Sequence, residues 1–288
     1  MRQDSDTGST VVIGFVILLM LIALGIGIWA LISLPGEIKE AESTHAIGLS
    51  NAFLDLKLSA DRVRVNNLEG ARFSMLMPGS SGMSGTTIRF ANNTGDSLGI
   101  YIGENTQHEK LWNDIGRLSA QVGGARGTMV IGYEVGGVFR NDNGNTVWLT
   151  PGLLEVYPQK IDGNDTIRVD MVMPILSGDA AVSSNWGVPI DVVYMEKSDS
   201  VVGPINETLL IRYSSPDEGQ RNLWYSLFYE AATRYNITAA DWDYVGTVSP
   251  EITGTSAQLK IEVTGNKWVK VYIREATYDV SLVRRYDV

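Results

Sequence analysis

The sequence predicts an α+β protein: a long N-terminal membrane helix, then a mainly antiparallel, β-rich, sandwich-like domain. The helix is indicated by an uncharged stretch over 11–34. The β domain is indicated by short β-branched and aromatic runs after about residue 71, separated by Gly, Asn and Asp. One further helix is expected near 216–235. We therefore divide the chain into a tail (1–10), a transmembrane helix (11–34), a helical extension (35–67) and a β-rich domain (71–288).

The stretch over 11–34 reads VVIGFVILLMLIALGIGIWALISL. As a helix it is about 36 Å long, enough to cross a hydrocarbon core of about 30 Å. A secretory signal peptide has a shorter apolar core of about 7–15 residues and a small-residue cleavage site, whereas here Leu34-Pro35-Gly36 leads into a charged segment. The alternative, a buried core helix, does not fit such a length without a charge. A membrane is therefore the expected partner of this segment.

Apolar residues continue at helical spacing beyond the uncharged stretch, with charged residues mostly between them. Asn66-Asn67 and Gly70 are typical helix-ending residues. Pro35 is expected to bend or interrupt the helix where it leaves the bilayer. We therefore expect a membrane-proximal extension over 35–67 that projects from the membrane.

The expected location is the cell membrane, crossed once, with the C-terminal domain extracellular. Basic residues on the two flanks of the apolar stretch are too evenly balanced to decide its orientation. A short tail before a large polar body fits an inside tail and an outside body. Four Asn-x-Thr sequons agree with an extracellular domain and are candidate glycosylation sites. They begin at Asn92, Asn164, Asn206 and Asn236.

The β-rich region is predicted from period-two patterns bounded by turn residues. Asn141-Asp142-Asn143-Gly144 reads as a hairpin turn, since it lacks the ligand spacing and closing Glu of a calcium loop. Whether the region forms one domain or splits into subdomains near Ser215 stays open. The predicted strands are 87–90, 97–101, 128–133, 137–140, 146–149, 153–157, 167–173, 189–195, 208–213, 257–263, 268–274 and 277–286.

The additional helix is predicted from a capping box, Ser215-Pro216-Asp217-Glu218, with proline at the first helical position. After this cap, apolar residues recur at helical spacing up to about Tyr235. Its predicted buried face consists of Leu223, Trp224, Leu227, Phe228 and Ala231.

Bulk properties exclude two classes of function. The formal charge of −10 makes nucleic acid an improbable partner, because phosphate binding needs a basic face. The chain has no cysteine, so it has neither a disulfide framework nor thiolate chemistry.

The search for catalytic chemistry gives no catalytic residue, metal ligand or cofactor site. His45 and His108 lack partners at metal-ligand spacing and read as surface residues. Asp241 and Asp243 form a carboxylate pair such as glycosidases use, but a pair in a loop is more often solvated. Tryptophans such as Trp186, Trp242 and Trp268 fit either a carbohydrate platform or the core and rim of a β domain.

The opening Asp6-Thr7-Gly8-Ser9-Thr10-Val11-Val12-Ile13-Gly14-Phe15 resembles the start of archaeal type IV pilin-like proteins. The block from Tyr133 to Arg140 is similar to large archaeal pilin-like surface proteins of no established activity. The resemblance implies that a prepilin peptidase cuts after Gly8 and leaves Ser9 as the first mature residue. It also implies that the apolar helix serves as membrane anchor and as filament core, through contacts with copies of itself or with other pilins.

The first functional hypothesis is a membrane-anchored type IV pilin-like cell-surface protein, structural or adhesive rather than catalytic, such as a minor pilin. The alternative is a signal-anchored extracellular module that binds a surface glycan or a protein and does not assemble. A third hypothesis, an anchored hydrolase using Asp241 and Asp243, has the least support.

Overall fold

The computed structural model describes residues 6–79, 86–92, 94–103, 108–124, 127–178, 180–184, 186–234, 246–263 and 265–282. Within these ranges, side chains are not described at 6–12, 30–36, 38, 108, 124, 180, 246 and 247. Two compact units make up the chain, Met1–Ala46 and Ile47–Val288. Strands account for more than half of the described residues, so the protein is mainly β rather than α+β.

The N-terminal helix, α1, runs from Asp6 to Val65 and does not end at Pro35. No helix in the described part of the chain is both long enough and apolar enough to cross a membrane. This finding corrects two predictions: the transmembrane helix over 11–34, and the single-pass location with an extracellular C-terminal domain. The membrane as a partner stays a prediction.

Within the predicted helical extension over 35–67, the C-terminal part of α1 packs against strands of the second unit. Leu49, Phe53, Leu56, Ala60 and Val63 of α1 are buried and belong to a core formed with the strands of the second unit. Their spacing of three or four residues places them on one face of the helix. This half of α1 is a packed element of the β-rich unit and not a stalk.

Three sheets form the second unit. Their orders are β1-β12-β16-β10-β9, β11-β2-β5-β6-β7-β8 and β14-β15-β13-β3-β4. The strands are β1 (Arg72–Met77), β2 (Thr86–Ala91), β3 (Ser97–Ile102), β4 (His108–Asn113), β5 (Arg117–Gly124), β6 (Gly127–Glu134), β7 (Gly137–Asp142), β8 (Asn145–Thr150), β9 (Leu154–Ile161), β10 (Asn164–Ser177), β11 (Ala180–Ser184), β12 (Val188–Ile205), β13 (Leu209–Ser214), β14 (Gly246–Thr253), β15 (Ser256–Val263) and β16 (Trp268–Leu282).

Strand pairing is antiparallel throughout the described ranges except between β10 and β16, which run parallel. The expectation of a β-rich, sandwich-like domain is therefore confirmed at this coarse level. The two segments predicted at 268–274 and 277–286 are one strand, β16, which continues to Leu282.

The long strands serve two hydrophobic cores on opposite faces of their sheet. In β16, Val269, Val271 and Ile273 point into the first core, whereas Tyr278 and Val280 point into the second. Because successive strand residues face opposite sides, this change of parity means that the cores lie on opposite faces. The second core also contains the buried face of α1. Because the long strands contribute side chains to both cores, they are longer than the strands predicted from the sequence.

The second helix, α2, spans Glu218–Arg234 and lies against the first core. Its predicted apolar face is confirmed, since Leu223, Trp224, Leu227, Phe228 and Ala231 are all buried. The position of the predicted cap is wrong by two residues. Asp217, and not Ser215, accepts hydrogen bonds from the N–H groups of Gly219 (2.8 Å) and Gln220 (3.4 Å). Asp217 is therefore the residue that satisfies the first free donors of the helix.

The predicted hairpin turn is confirmed between β7 and β8. Asn143 and Gly144 have φ of 52° and 92°, as a two-residue hairpin loop requires. The Asn141 side chain accepts a hydrogen bond from the Gly144 N–H at 2.8 Å.

Candidate functional site

The most unusual surface of the chain is the apolar part of α1. Every residue from 13 to 29 is exposed, and the large apolar side chains among them are 46–66% exposed. Gly14, Gly25 and Gly27 have no atom within 4 Å of the position that a Cβ would occupy. Apolar side chains point outward on every side of the helix, so this segment is a candidate interaction surface.

The predicted leader-cleavage residues, Gly8 and Ser9, lie in the first turns of α1. Their side chains are outside the described set, and cleavage after Gly8 stays a prediction.

Asn92, Asn164 and Asn206 have exposed side chains, which a glycosylation site requires. Asn236 lies outside the described residues. Modification at these four positions also stays a prediction.

A buried cluster of ionisable residues joins two sheets and α2. Glu134 at the end of β6 has no solvent exposure, and Asp96, which precedes β3, is nearly as buried. Arg117 of β5 lies between them, with Nε 2.5 Å from Glu134 Oε2 and Nη2 2.5 Å from Asp96 Oδ2. One guanidinium thus pairs with two carboxylates.

Two aromatic donors complete the coordination of Glu134. The Tyr213 hydroxyl of β13 donates to Glu134 Oε1 at 2.9 Å, and the Trp224 indole N–H of α2 donates to the same oxygen at 3.4 Å. The rings of Tyr213 and Trp224 stack with centroids 4.6 Å apart. Every oxygen of Glu134 therefore has a donor, as a buried carboxylate requires.

The burial of this cluster governs its electrostatics. Burial raises the pKa of the Glu134 carboxyl above its usual range, and the Arg117 charge opposes that shift. Burial also raises the pKa of Tyr213 well above its ordinary value, and the neighbouring Glu134 adds to that shift. Although burial lowers the pKa of Arg117, the nearby Glu134, Tyr213 and Asp96 raise it to a net increase. Arg117 therefore stays charged, and the cluster acts as a buried ionic link between elements.

A small apolar cavity of about 10 Å³ lies beside Trp224, with room for about one water molecule. Trp148 of β8, Met171 and Met173 of β10, and Leu227 of α2 contribute to its wall. Glu134 is absent from this wall. The contacts of the cluster with β5, β13 and α2 give it a structural role.

Among the described residues, the structure brings none of the predicted site residues together. His45 lies half-buried on α1, and burial lowers its pKa. His108 begins β4, and its side chain is outside the described set. Asp241 and Asp243 lie outside the described residues. Among described side chains, no group of three or more His, Cys, Asp or Glu residues could hold a metal ion.

The three tryptophans considered for a carbohydrate platform, or for the core and rim of the β domain, lie in different environments. Trp268 is half-buried on β16, Trp242 is not described, and Trp186 is 72% exposed. Sequence analysis missed the cluster around Glu134, although the block from Tyr133 to Arg140 contains this residue. Its partners lie on three other elements, β5, β13 and α2, and only long-range pairing information could have linked them.

Comparisons with protein-family models, with curated proteins and with solved structures give no match. Assignment to the type IV pilin-like proteins therefore stays a hypothesis based on the opening residues.

Proposed function

We propose that the chain is a structural, self-assembling protein of the type IV pilin-like kind, whose apolar α1 segment is buried against α1 of other copies. The observation that carries this proposal is the exposure of every residue from 13 to 29. A helix that is apolar all round needs burial on all sides, and an apolar patch of this extent marks an interaction site.

The energy available from this burial is large. Thirteen large apolar side chains are exposed between Ile13 and Trp29. Burying one such side chain stabilises by about 1.5–3 kcal/mol, whereas association costs about 4–15 kcal/mol. Contacts with several side chains per copy are therefore enough to drive assembly.

Copies of the same helix fit this surface better than one flat partner does. A flat partner covers one side of the helix and leaves the opposite apolar side in water. Several neighbouring copies of α1 surround it completely, and each of them gains the same burial. Open space at Gly14, Gly25 and Gly27 lets helices approach closely at these points.

The opening residues support a pilin-like origin for such an assembly. Cleavage by a prepilin peptidase after Gly8 would remove a charged tail and leave Ser9 as the first residue of the apolar helix. Mass spectrometry of the purified native chain tests this step directly. A chain beginning at Ser9 supports processing, and a chain that keeps Met1 or Arg2 contradicts it.

A matched pair of substitutions on α1 tests the assembly itself. Leu21 and Leu58 are the same residue type on the same helix, and each is 62% exposed. We expect Leu21→Glu to abolish the sedimenting assemblies of the full chain, because each copy then buries a carboxylate. Leu58→Glu should assemble like the wild type. A wild-type chain that stays monomeric in detergent-free buffer, or equal behaviour of the two variants, would overturn the proposal.

The second candidate function, a glycan-binding module, is favoured by one observation, the exposed indole of Trp186. Aromatic side chains are common at such interfaces because one end is apolar and the other polar. A Trp186→Ala variant that loses binding to a polysaccharide retained by the wild type would support this alternative. If the polysaccharide retains the variant and the wild type equally, the glycan-binding alternative is contradicted.

A further inference from the structure

Among the described strands, none pairs with the outer edge of β8. It is the last strand of the six-stranded sheet and follows β7 in the order. An outer strand presents a row of backbone N–H and C=O groups with which a strand of another chain can pair.

Most outer strands of the described sheets carry residues that discourage such pairing. Charged residues and proline at an edge oppose the addition of another strand. These residues are Arg72 in β1, Glu109 and Lys110 in β4, Pro158 and Lys160 in β9, and Pro250 and Glu251 in β14. The sequence of β8, Asn-Thr-Val-Trp-Leu-Thr, has neither a charge nor a proline. The other uncharged outer strand, β11, is one residue shorter.

The structure holds β8 in a fixed orientation. The Trp148 indole N–H donates to the Leu223 carbonyl of α2 at 3.0 Å, which ties this face of the strand to the helix. Val147 and Leu149 point to the other face and are both exposed. The strand therefore combines an ordered backbone with an exposed apolar side, and β-branched and aromatic residues favour its extended conformation.

We propose that β8 pairs antiparallel with β8 of a second copy, so that the six-stranded sheet continues across a two-fold axis. An antiparallel pair of identical strands places like residues near each other, and like charges there are destabilising. The uncharged β8 avoids this repulsion and brings the Val147 and Leu149 side chains of two copies together. A second copy is therefore the occupant that this strand fits.

A matched pair of substitutions tests the pairing. Val147 on β8 and Ile252 on β14 are both apolar, both on outer strands and both 46% exposed. Val147 lies opposite Arg140 of β7, so a glutamate at 147 gains an oppositely charged neighbour within its own sheet. Val147→Glu is thus expected to fold while placing like charges across the two-fold axis.

The measurement is hydrogen exchange of the Thr146 and Trp148 amides as a function of protein concentration. It is made on full-length chains that carry Leu21→Glu, so that assembly through α1 does not contribute. We expect exchange at these amides to slow with rising protein concentration in the Leu21→Glu chain. We expect the same slowing when Ile252→Glu is added to that chain. We expect no concentration dependence in Val147→Glu. Two results would overturn the proposal. One is exchange that does not depend on concentration in the chain that carries Leu21→Glu alone. The other is exchange that still slows with concentration when Val147→Glu is added. Neither result would bear on assembly through α1, which the comparison of Leu21→Glu with Leu58→Glu decides.

Discussion

Arg117 and Glu134 form a buried ion pair in which the Arg117 Nε lies 2.5 Å from Glu134 Oε2, and Glu134 has no solvent exposure. The pair connects the side chains of β5 and β6. Through Tyr213 and Trp224 it also reaches β13 and α2. Two sheets and a helix are therefore held by one polar cluster, so its removal should affect the whole second unit.

Replacement of Arg117 by methionine should destabilise the protein strongly. The variant leaves two buried carboxylates, Glu134 and Asp96, without their cation. Breaking a buried pair by removing one partner costs about 3–5 kcal/mol. Chemical denaturation of the full chain measures this loss as a change in the free energy of unfolding. The control is Arg89→Met on the adjacent β2, where Arg89 is exposed and a change within about 0.5 kcal/mol is expected. Equal effects of the two substitutions would contradict the role of the cluster.

Loss of the hydroxyl group should change the stability of the protein differently at two buried tyrosines. The Tyr133 hydroxyl has no hydrogen-bond partner among the described residues, whereas the Tyr213 hydroxyl donates to Glu134 at 2.9 Å. Tyr133→Phe should therefore be neutral or stabilising, and Tyr213→Phe should cost about 1–3 kcal/mol. Thermal unfolding of both variants checks this difference. A larger loss for Tyr133→Phe would show that its hydroxyl has a partner.

The C-terminal half of α1 should contribute strongly to stability. Phe53 is fully buried on its packed face, and Phe→Ala in a core costs about 3–5 kcal/mol. Leu58→Ala on the exposed face serves as the control and should change the free energy of unfolding by less than about 0.5 kcal/mol. If residues 47–65 instead projected freely from the domain, Phe53→Ala would have an equally small effect.

Asp191 should make stability depend on pH at the acidic end. Its carboxylate accepts hydrogen bonds from Ser74 and Arg72 across the β1–β12 pair, and these lower its pKa in the folded state. The unfolded chain has a pKa of about 3.9 for Asp. Stabilisation by this group is therefore present above that value and is lost as pH falls through the lower, folded pKa.

The variant Asp191→Asn measures this contribution. At pH 7 we expect a loss of about 1 kcal/mol, reduced by the exposure of Arg72. The difference from the wild type should shrink as pH falls below about 4. Asp199→Asn, at an exposed position on the same strand, should show a much smaller difference. A difference for Asp191→Asn that is constant over the acidic range would contradict the lowered pKa.

Local sequence patterns correctly predicted a turn and a helix face that depend only on neighbouring residues. Asn143-Gly144 predicted a hairpin turn because few other residues adopt two successive left-handed conformations. The apolar spacing from Leu223 to Ala231 predicted the buried face of α2. The strand lengths were wrong because β16 passes between two cores, and periodicity alone does not reveal where a strand changes cores.

The tertiary environment explains the remaining differences. Composition suggested a membrane helix, but the sequence could not show that Phe53 and Leu56, on the same helix, pack into a β-sheet core. No local signal linked Glu134 to Arg117 and Tyr213, because these residues meet only after β5 has paired with β6 and β13 of another sheet has packed beside them. Ser215 fits the capping pattern as well as Asp217 does, and the backbone geometry decides between them.

The absence of cysteine from the chain provides the most direct test of assembly through α1. A single Leu21→Cys substitution introduces one thiol per copy, so an intermolecular disulfide can form only where two of these positions meet. On mild oxidation of the full chain, we predict covalent dimers for Leu21→Cys and none for Leu58→Cys at the same concentration. Absence of cross-linking at Leu21, or equal cross-linking at both positions, would contradict assembly through the apolar part of α1.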